Sequence, residues 1–296
     1  MATTTGAAAP TSTDNRLYPS RPALEAAFDV VKKAKLPPIP DIVLALKDEL
    51  ERPDPNMQKA SELIGQDIAI TGKLLKTINS PAFGLSAKVG SVQQAVSIMG
   101  LRRLANMVTA EAIDRMLADQ GGESKVVWDS ILEEARTMVE IARLSRGVTP
   151  DEAYLFGMMH DVGCLVFTGL FESYSTEFIL HRHTDSAVLI DFEMKHLGVD
   201  HPTVSFLLAG NWKLPDQMAL AIYLHHRVEC SEVDDPKVRA LVALANLAHR
   251  LSAFSEGSLD MSEVCSEEDA IWRELKIADD DWVRLCESMV QAGSGS

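Results

Sequence analysis

The chain has 296 residues, 46% of them hydrophobic and 24% charged, enough to bury a sizeable core in one or two folded units. Its 28 Lys and Arg against 43 Asp and Glu give a net charge of −15, which repels phosphate backbones and excludes generic nucleic-acid binding. The N-terminus lacks the basic start and apolar core of a secretion signal, and no apolar run is long enough to span a membrane. The cysteines, Cys164, Cys230, Cys265 and Cys286, show no CxxC pairing. Reduced thiols in a cytoplasmic protein with no membrane partner are therefore expected.

Residues 1–19 read as a disordered leader and residues 20–120 as an N-terminal helical bundle. Within it, Leu63, Ile64, Ile68, Leu74, Leu75 and Ile78 predict one helix over 61–79, stopped at Asn79-Ser80-Pro81. Asn79 suits a left-handed cap and Pro81 forbids continuation. Ser91 with Gln94 has capping-box spacing and opens a helix that runs to Gly100, and another covers 101–117. Segment 56–120 carries seven basic side chains against five acidic ones, which reads as a solvated face.

Gly121-Gly122 marks a hinge, and residues 121–252 form the second expected bundle. Its first helix carries Val127, Trp128, Ile131, Ala135, Met138, Val139 and Ala142 at helical spacing and ends at Gly147. Thr149-Pro150-Asp151-Glu152 supplies a cap, a first-turn proline and a capping-box glutamate, opening a helix expected to carry His160 and Asp161. Further helices are expected over 186–196, 201–212, 216–226 and 236–251. Residues 253–292 form a C-terminal extension with a last helix over 280–291, and 293–296 are an unstructured tail. The fold class is all-α.

Chemistry concentrates in this second part. His160 and Asp161 are adjacent, about 100° apart around a helix, so both enter one cleft only where the helix edge faces it. An imidazole beside a carboxylate suits a divalent metal of mixed N/O preference, such as Mn, Fe or Zn. Two ligands do not hold a catalytic metal, and His201 with His225 or His226 would have to converge on them. The same groups also serve as a buried hydrogen-bonded network that fixes helix register. Cys164, one turn past His160, reads as a small core residue.

The elements Leu36-Pro-Pro-Ile-Pro-Asp-Ile-Val, Ile64-Gly-Gln-Asp67, Leu74-Leu-Lys-Thr-Ile-Asn79-Ser80 and Ser91 to Arg103 resemble the N-terminal half of the HDOD family. Gly157-Met-Met-His160-Asp161-Val-Gly163, Gly198-Val-Asp-His201, Trp212-Lys-Leu-Pro215, His225-His226 and Leu244 to Ala248 continue that resemblance in order, over about residues 24–252. These are bacterial signal-transduction modules related to the HD superfamily. The resemblance implies a helical bundle packed on an HD-like bundle, with a regulatory rather than hydrolytic role. It places Ser130 where a first metal-binding histidine would lie and Asn246 where a last aspartate would lie. Cys164 stands where a lysine often follows the His-Asp pair in the related HD-GYP phosphodiesterases. Serine and asparagine are weak ligands, so the site is expected to be degenerate at Ser130 and Asn246 while keeping His160, Asp161, His201, His225 and His226.

The expectation is a non-catalytic cytoplasmic signalling module that works through a protein partner, with no cofactor and no nucleic acid. Two alternatives stay open. One is a metal-dependent phosphohydrolase acting on a nucleotide or cyclic dinucleotide, with one Mn, Fe or Zn on His160, Asp161, His201 and His225. The other is a module that binds a nucleotide without cleaving it.

Overall fold

A computed structural model describes residues 17–34, 39–117, 121–182, 186–226, 233–255, 257, 259, 264 and 270–285, and no strand occurs among them. Leu36, Pro37, Pro38, Cys230, Cys265, Cys286, most of the expected leader and the end of the expected last helix lie outside the described residues. The helices are α1 Arg21–Ala34, α2 Asp41–Leu50, α3 Met57–Gly65, α4 Ile68–Ile78, α5 Val92–Met99, α6 Leu101–Leu117, α7 Glu123–Leu144 and α8 Pro150–Met159. They continue with α9 Val162–Thr168, α10 Tyr174–His181, α11 Ser186–Leu197, α12 His201–Asn211, α13 Asp216–Leu224, α14 Pro236–Ser255 and α15 Ala270–Leu275. No described helix is long and apolar enough to cross a membrane.

The helix expected over 61–79 is two helices. Asp67 interrupts it, because its carboxylate accepts the N–H groups of Ala69 and Ile70 at 3.1 and 3.0 Å and so caps a new start. Asn79 differs too: its φ of −82° is right-handed, and the left-handed turn falls on Gly84 at φ +60°. Asn79 acts through its side chain instead, donating to Leu75 and Val89 carbonyls and accepting the Val89 N–H at 2.7–2.8 Å. That ties the end of α4 to the approach of α5. The helix expected to end at Gly147 ends at Leu144, and Ser145 and Arg146 bond the Leu275 carbonyl of α15.

The buried side chains form one continuous apolar cluster from Ala27 to Leu285. At its middle, α6 is buried on nearly every side, with Leu104, Met107, Val108, Ala110 and Ile113 fully covered. Burying each of its large side chains contributes about 1.5–3 kcal/mol. The long α7 packs along α8, α9, α10 and α14, and α12 packs on α9 and α13. One polar contact fixes α6 on α8: the buried Asp151 carboxylate accepts from Arg103 Nε at 2.7 Å and Asn106 Nδ2 at 2.9 Å. Helices α7, α8, α12, α13 and α14 meet around the site, with α8, α12 and α13 reaching it by their ends and α7 and α14 by their middles.

Candidate metal centre

The first turn of α8 is secured as its sequence predicts, with the Glu152 carboxylate accepting the N–H and hydroxyl of Thr149, both at 2.9 Å. The helix then stops at Met159, before the His-Asp pair. His160 is the residue that closes α8 and Asp161, at φ −107° and ψ 12°, opens α9. The pair therefore occupies a joint between two helices rather than the interior of one. The chain leaves the helical path at Asp161, and both side chains reach the same cluster.

Two glycines make that joint fit. A Cβ on Gly157 would lie 2.6 Å from Ala135 Cα, and one on Gly163 would lie 2.5 Å from the His201 carbonyl oxygen. Their bare backbones let α8 press on α7 and α9 press on the start of α12. Ser205 Oγ then accepts the Gly163 N–H at 2.8 Å.

Seven side chains gather there: Glu134 from α7, His160 and Asp161 from the joint, His201 from α12, His225 and His226 from the end of α13, and His249 from α14. They divide into two quartets that share Asp161, and within each the donor atoms lie within 4.8 Å of one another. Asp161 Oδ1 is 3.3 Å from His201 Nε2 and 3.2 Å from His225 Nε2, whereas Oδ2 is 3.5 Å from His160 Nε2. Glu134 lies 3.6 Å from His160 Nε2 and 3.2 Å from His249 Nε2. The Nε2 atoms of His201 and His226 approach to 3.0 Å, and those of His160 and His249 to 3.4 Å.

The orientation of the rings is imposed from outside the cluster. His160 Nδ1 bonds the Gly157 carbonyl at 2.7 Å, His225 Nδ1 bonds the Ile222 carbonyl at 2.6 Å, and His201 Nδ1 bonds the Glu193 carboxylate at 2.8 Å. Oxygens of these kinds only accept, so each Nδ1 carries a proton and each ring turns its Nε2 inward. Glu193 is itself buried and receives the Tyr174 hydroxyl.

Burial and charge pull these groups apart. Burial lowers His225, His226 and His249, the last to about 4. Burial acts the same way on His201, but Glu193 and Asp161 overcome it and carry the ring up to about 10. His160 is likewise raised against burial by Asp161 and Glu134. Burial works against the Asp161 carboxylate, yet the surrounding imidazoles hold it well below the usual range. Cys164 is fully buried and burial pushes its thiol well up, which suits a core residue and not a thiolate ligand.

The donor set fits divalent metal. Two atoms each about 2.1 Å from one cation are separated by roughly 3.0–3.4 Å in tetrahedral or octahedral arrangements, and the distances above cluster around that range. Asp161 Oδ1 and His225 Nε2 are also buried without a well-directed hydrogen bond, an arrangement that costs free energy unless a proton or cation sits among them.

Of the positions expected from sequence, His160, Asp161, His201, His225 and His226 come together. Ser130 is buried on α7, one turn before Glu134. The Asn246 amide is turned back to the Val242 carbonyl at 3.1 Å. The side chains that α7 and α14 deliver are Glu134 and His249, each one turn further along the same face. Their signal in the sequence is a polar residue at helical spacing within an otherwise apolar stripe.

A family model for the HDOD domain matches residues 36–228. The chain belongs to the HDOD family. A protein of Treponema pallidum (strain Nichols) of uncharacterised function is 28% identical over 237 residues, which is 77% of this chain and 44% of that relative. The chain thus spans less than half of that relative's length. Among solved structures, an HDOD domain protein of unknown function from Geobacter sulfurreducens aligns over 92% of this chain and 96% of its own, with TM-score 0.70 and 23% identity. A candidate phosphohydrolase from Shewanella amazonensis SB2B aligns over 90% of this chain and 93% of its own, with TM-score 0.62 and 21% identity. These likenesses establish the HDOD all-helical fold.

Proposed function

We propose that this chain is a regulatory HDOD module that holds divalent metal at the joint between α8 and α9 and signals through a protein partner without hydrolysing a substrate. The observation that carries the metal part is the pair of quartets sharing Asp161. Glu134, His160 and His249 would hold a cation on one side of that carboxylate, and His201, His225 and His226 on the other. Mn, Fe and Zn suit this mixture of imidazole and carboxylate.

The regulatory part rests on access. His160, His201 and His225 are fully covered and Asp161 is 3% exposed. Two cavities, of about 390 and 570 Å³, lie elsewhere and have no member of the cluster in their lining. This burial argues against a nucleotide or phosphodiester reaching the donors, and ions held there brace α7, the α8–α9 joint, α12, α13 and α14 against one another.

One observation favours a second reading, a metal-dependent phosphohydrolase. Seven donors are more than a brace needs, and His226 and His249 are partly exposed on its rim. A bound divalent metal supplies Lewis acidity toward a phosphate oxygen. On that reading the chain's own part is to hold the ring nitrogens and Asp161 in fixed directions.

Metal analysis of purified protein together with hydrolysis of bis(p-nitrophenyl) phosphate separates the two. The regulatory reading expects near-stoichiometric Mn, Fe or Zn, lost in Asp161→Ala and His201→Ala, with no turnover. Turnover abolished by His160→Ala and Asp161→Ala would establish the phosphohydrolase instead, and protein that takes up no metal would remove both.

A further inference from the structure

The cavity of about 390 Å³ lies between α2 and α6 on one side and α8, α13 and α14 on the other. We propose that it binds a small organic anion with an apolar, ring-sized body. The volume falls within the roughly 300–1,000 Å³ of small-ligand sites. Its floor is apolar, built by Leu46, Leu155, Leu241 and the indole of Trp212. Trp212 is 4% exposed, and its indole N–H has no hydrogen-bond partner among the described residues. A floor of this kind takes an apolar body.

The charge of the wall sets the sign of the ligand. Four cations, Lys47, Arg102, Lys213 and Lys237, line it with two carboxylates, Glu51 and Glu152. Lys47 lies 3.6 Å from Glu51 and Lys237 lies 2.6 Å from Glu152, so those charges are matched within the protein. Arg102 and Lys213 have no ion-pair partner among the described residues. An uncompensated surplus of two cations beside an apolar floor, on a chain of net charge −15, is complementary to one carboxylate or phosphate group.

The position of Lys213 is built. Its backbone turns through φ +59° directly after Trp212, and its carbonyl accepts Lys47 Nζ from α2 at 2.7 Å. The α2 side of the cavity is thereby joined to the turn that presents both the indole and the cation.

Isothermal titration of the full chain tests this with three probes that share one ring system: 2-naphthoate, 2-naphthyl phosphate and uncharged 2-naphthol. Both anions are expected to bind one site, with 2-naphthol at least tenfold weaker, and the tighter anion identifies the headgroup. Arg102→Gln and Lys213→Gln, both at exposed positions, should each weaken the anions by roughly tenfold and leave 2-naphthol unchanged. Leu50→Trp, which fills the cavity from α2, should abolish binding of all three, with a normal melting curve as the control for folding. Absence of saturable binding by either anion overturns the proposal, as does anion binding that ignores both charge substitutions.

Discussion

Glu193 holds His201 at two points: its carboxylate accepts the His201 backbone N–H at 2.8 Å and the ring Nδ1–H at 2.8–2.9 Å. The start of α12 and the plane of its first side chain are thus set by one residue of α11. Glu193→Gln keeps the shape and removes the charge. We expect metal affinity to fall by about 10- to 100-fold, read by competition with a chromogenic chelator. Unchanged affinity would mean that the ring is oriented by something else.

Stripping and restoring metal should move stability. A cation bound to the folded chain alone adds about 2.7 kcal/mol at a hundredfold excess over its Kd. The melting temperature should therefore drop on chelation and recover with Mn, Fe or Zn, and Asp161→Ala should show no such response. A response to metal that persists in Asp161→Ala would place the ion elsewhere.

Gly157→Ala should disturb the helix packing behind the donors. The added methyl meets Ala135 backbone, which cannot rotate aside, so α7 and α8 must separate. Overpacking of this kind costs about 1–3 kcal/mol, measurable by urea denaturation. A neutral result would show that the α7 and α8 contact is looser than described.

Asp151→Ala removes the acceptor shared by Arg103 and Asn106. Losing hydrogen bonds to a buried charge costs roughly 2 kcal/mol, again by urea denaturation. Arg103→Ala in the same background should then add little, because its partner is already gone. A large further loss would assign Arg103 a second role.

The pH response should show Glu111. Its carboxyl is fully covered, and burial raises its pKa despite the Thr77 hydroxyl at 2.6 Å and Lys73 Nζ at 3.8 Å. A raised folded-state pKa means that the native chain holds the proton more tightly than the unfolded one. The stability this gives is present below the ordinary carboxyl range and is lost as pH rises through the folded value. Glu111→Gln should therefore raise the melting temperature more at pH 8 than at pH 4.5, and an equal gain at both would assign the effect to packing.

Much of the fold is legible because local signals and burial agree. α6 is read at both ends from Leu101 to Leu117, and α8 is read at its start from Thr149 to Glu152. Failures occur where a side chain competes with periodicity. The apolar stripe from Leu63 to Ile78 runs across Asp67, whose carboxylate captures two backbone N–H groups and starts a new helix. At the site, the five positions His160, Asp161, His201, His225 and His226 are legible as residue types. Glu134 and His249 are not, because each is a single polar residue one turn from Ser130 or Asn246 with no motif of its own. The break at Asp161 has no proline or helix-ending cap to announce it.

That break gives the His160-Asp161 pair a mechanical property. Each residue belongs to a different rod, so a small swivel of α9 against α8 moves Asp161 relative to His160, and one carboxylate serves both quartets. A shift of either rod alters the grip on an ion, and an ion that tightens the grip stiffens the elbow.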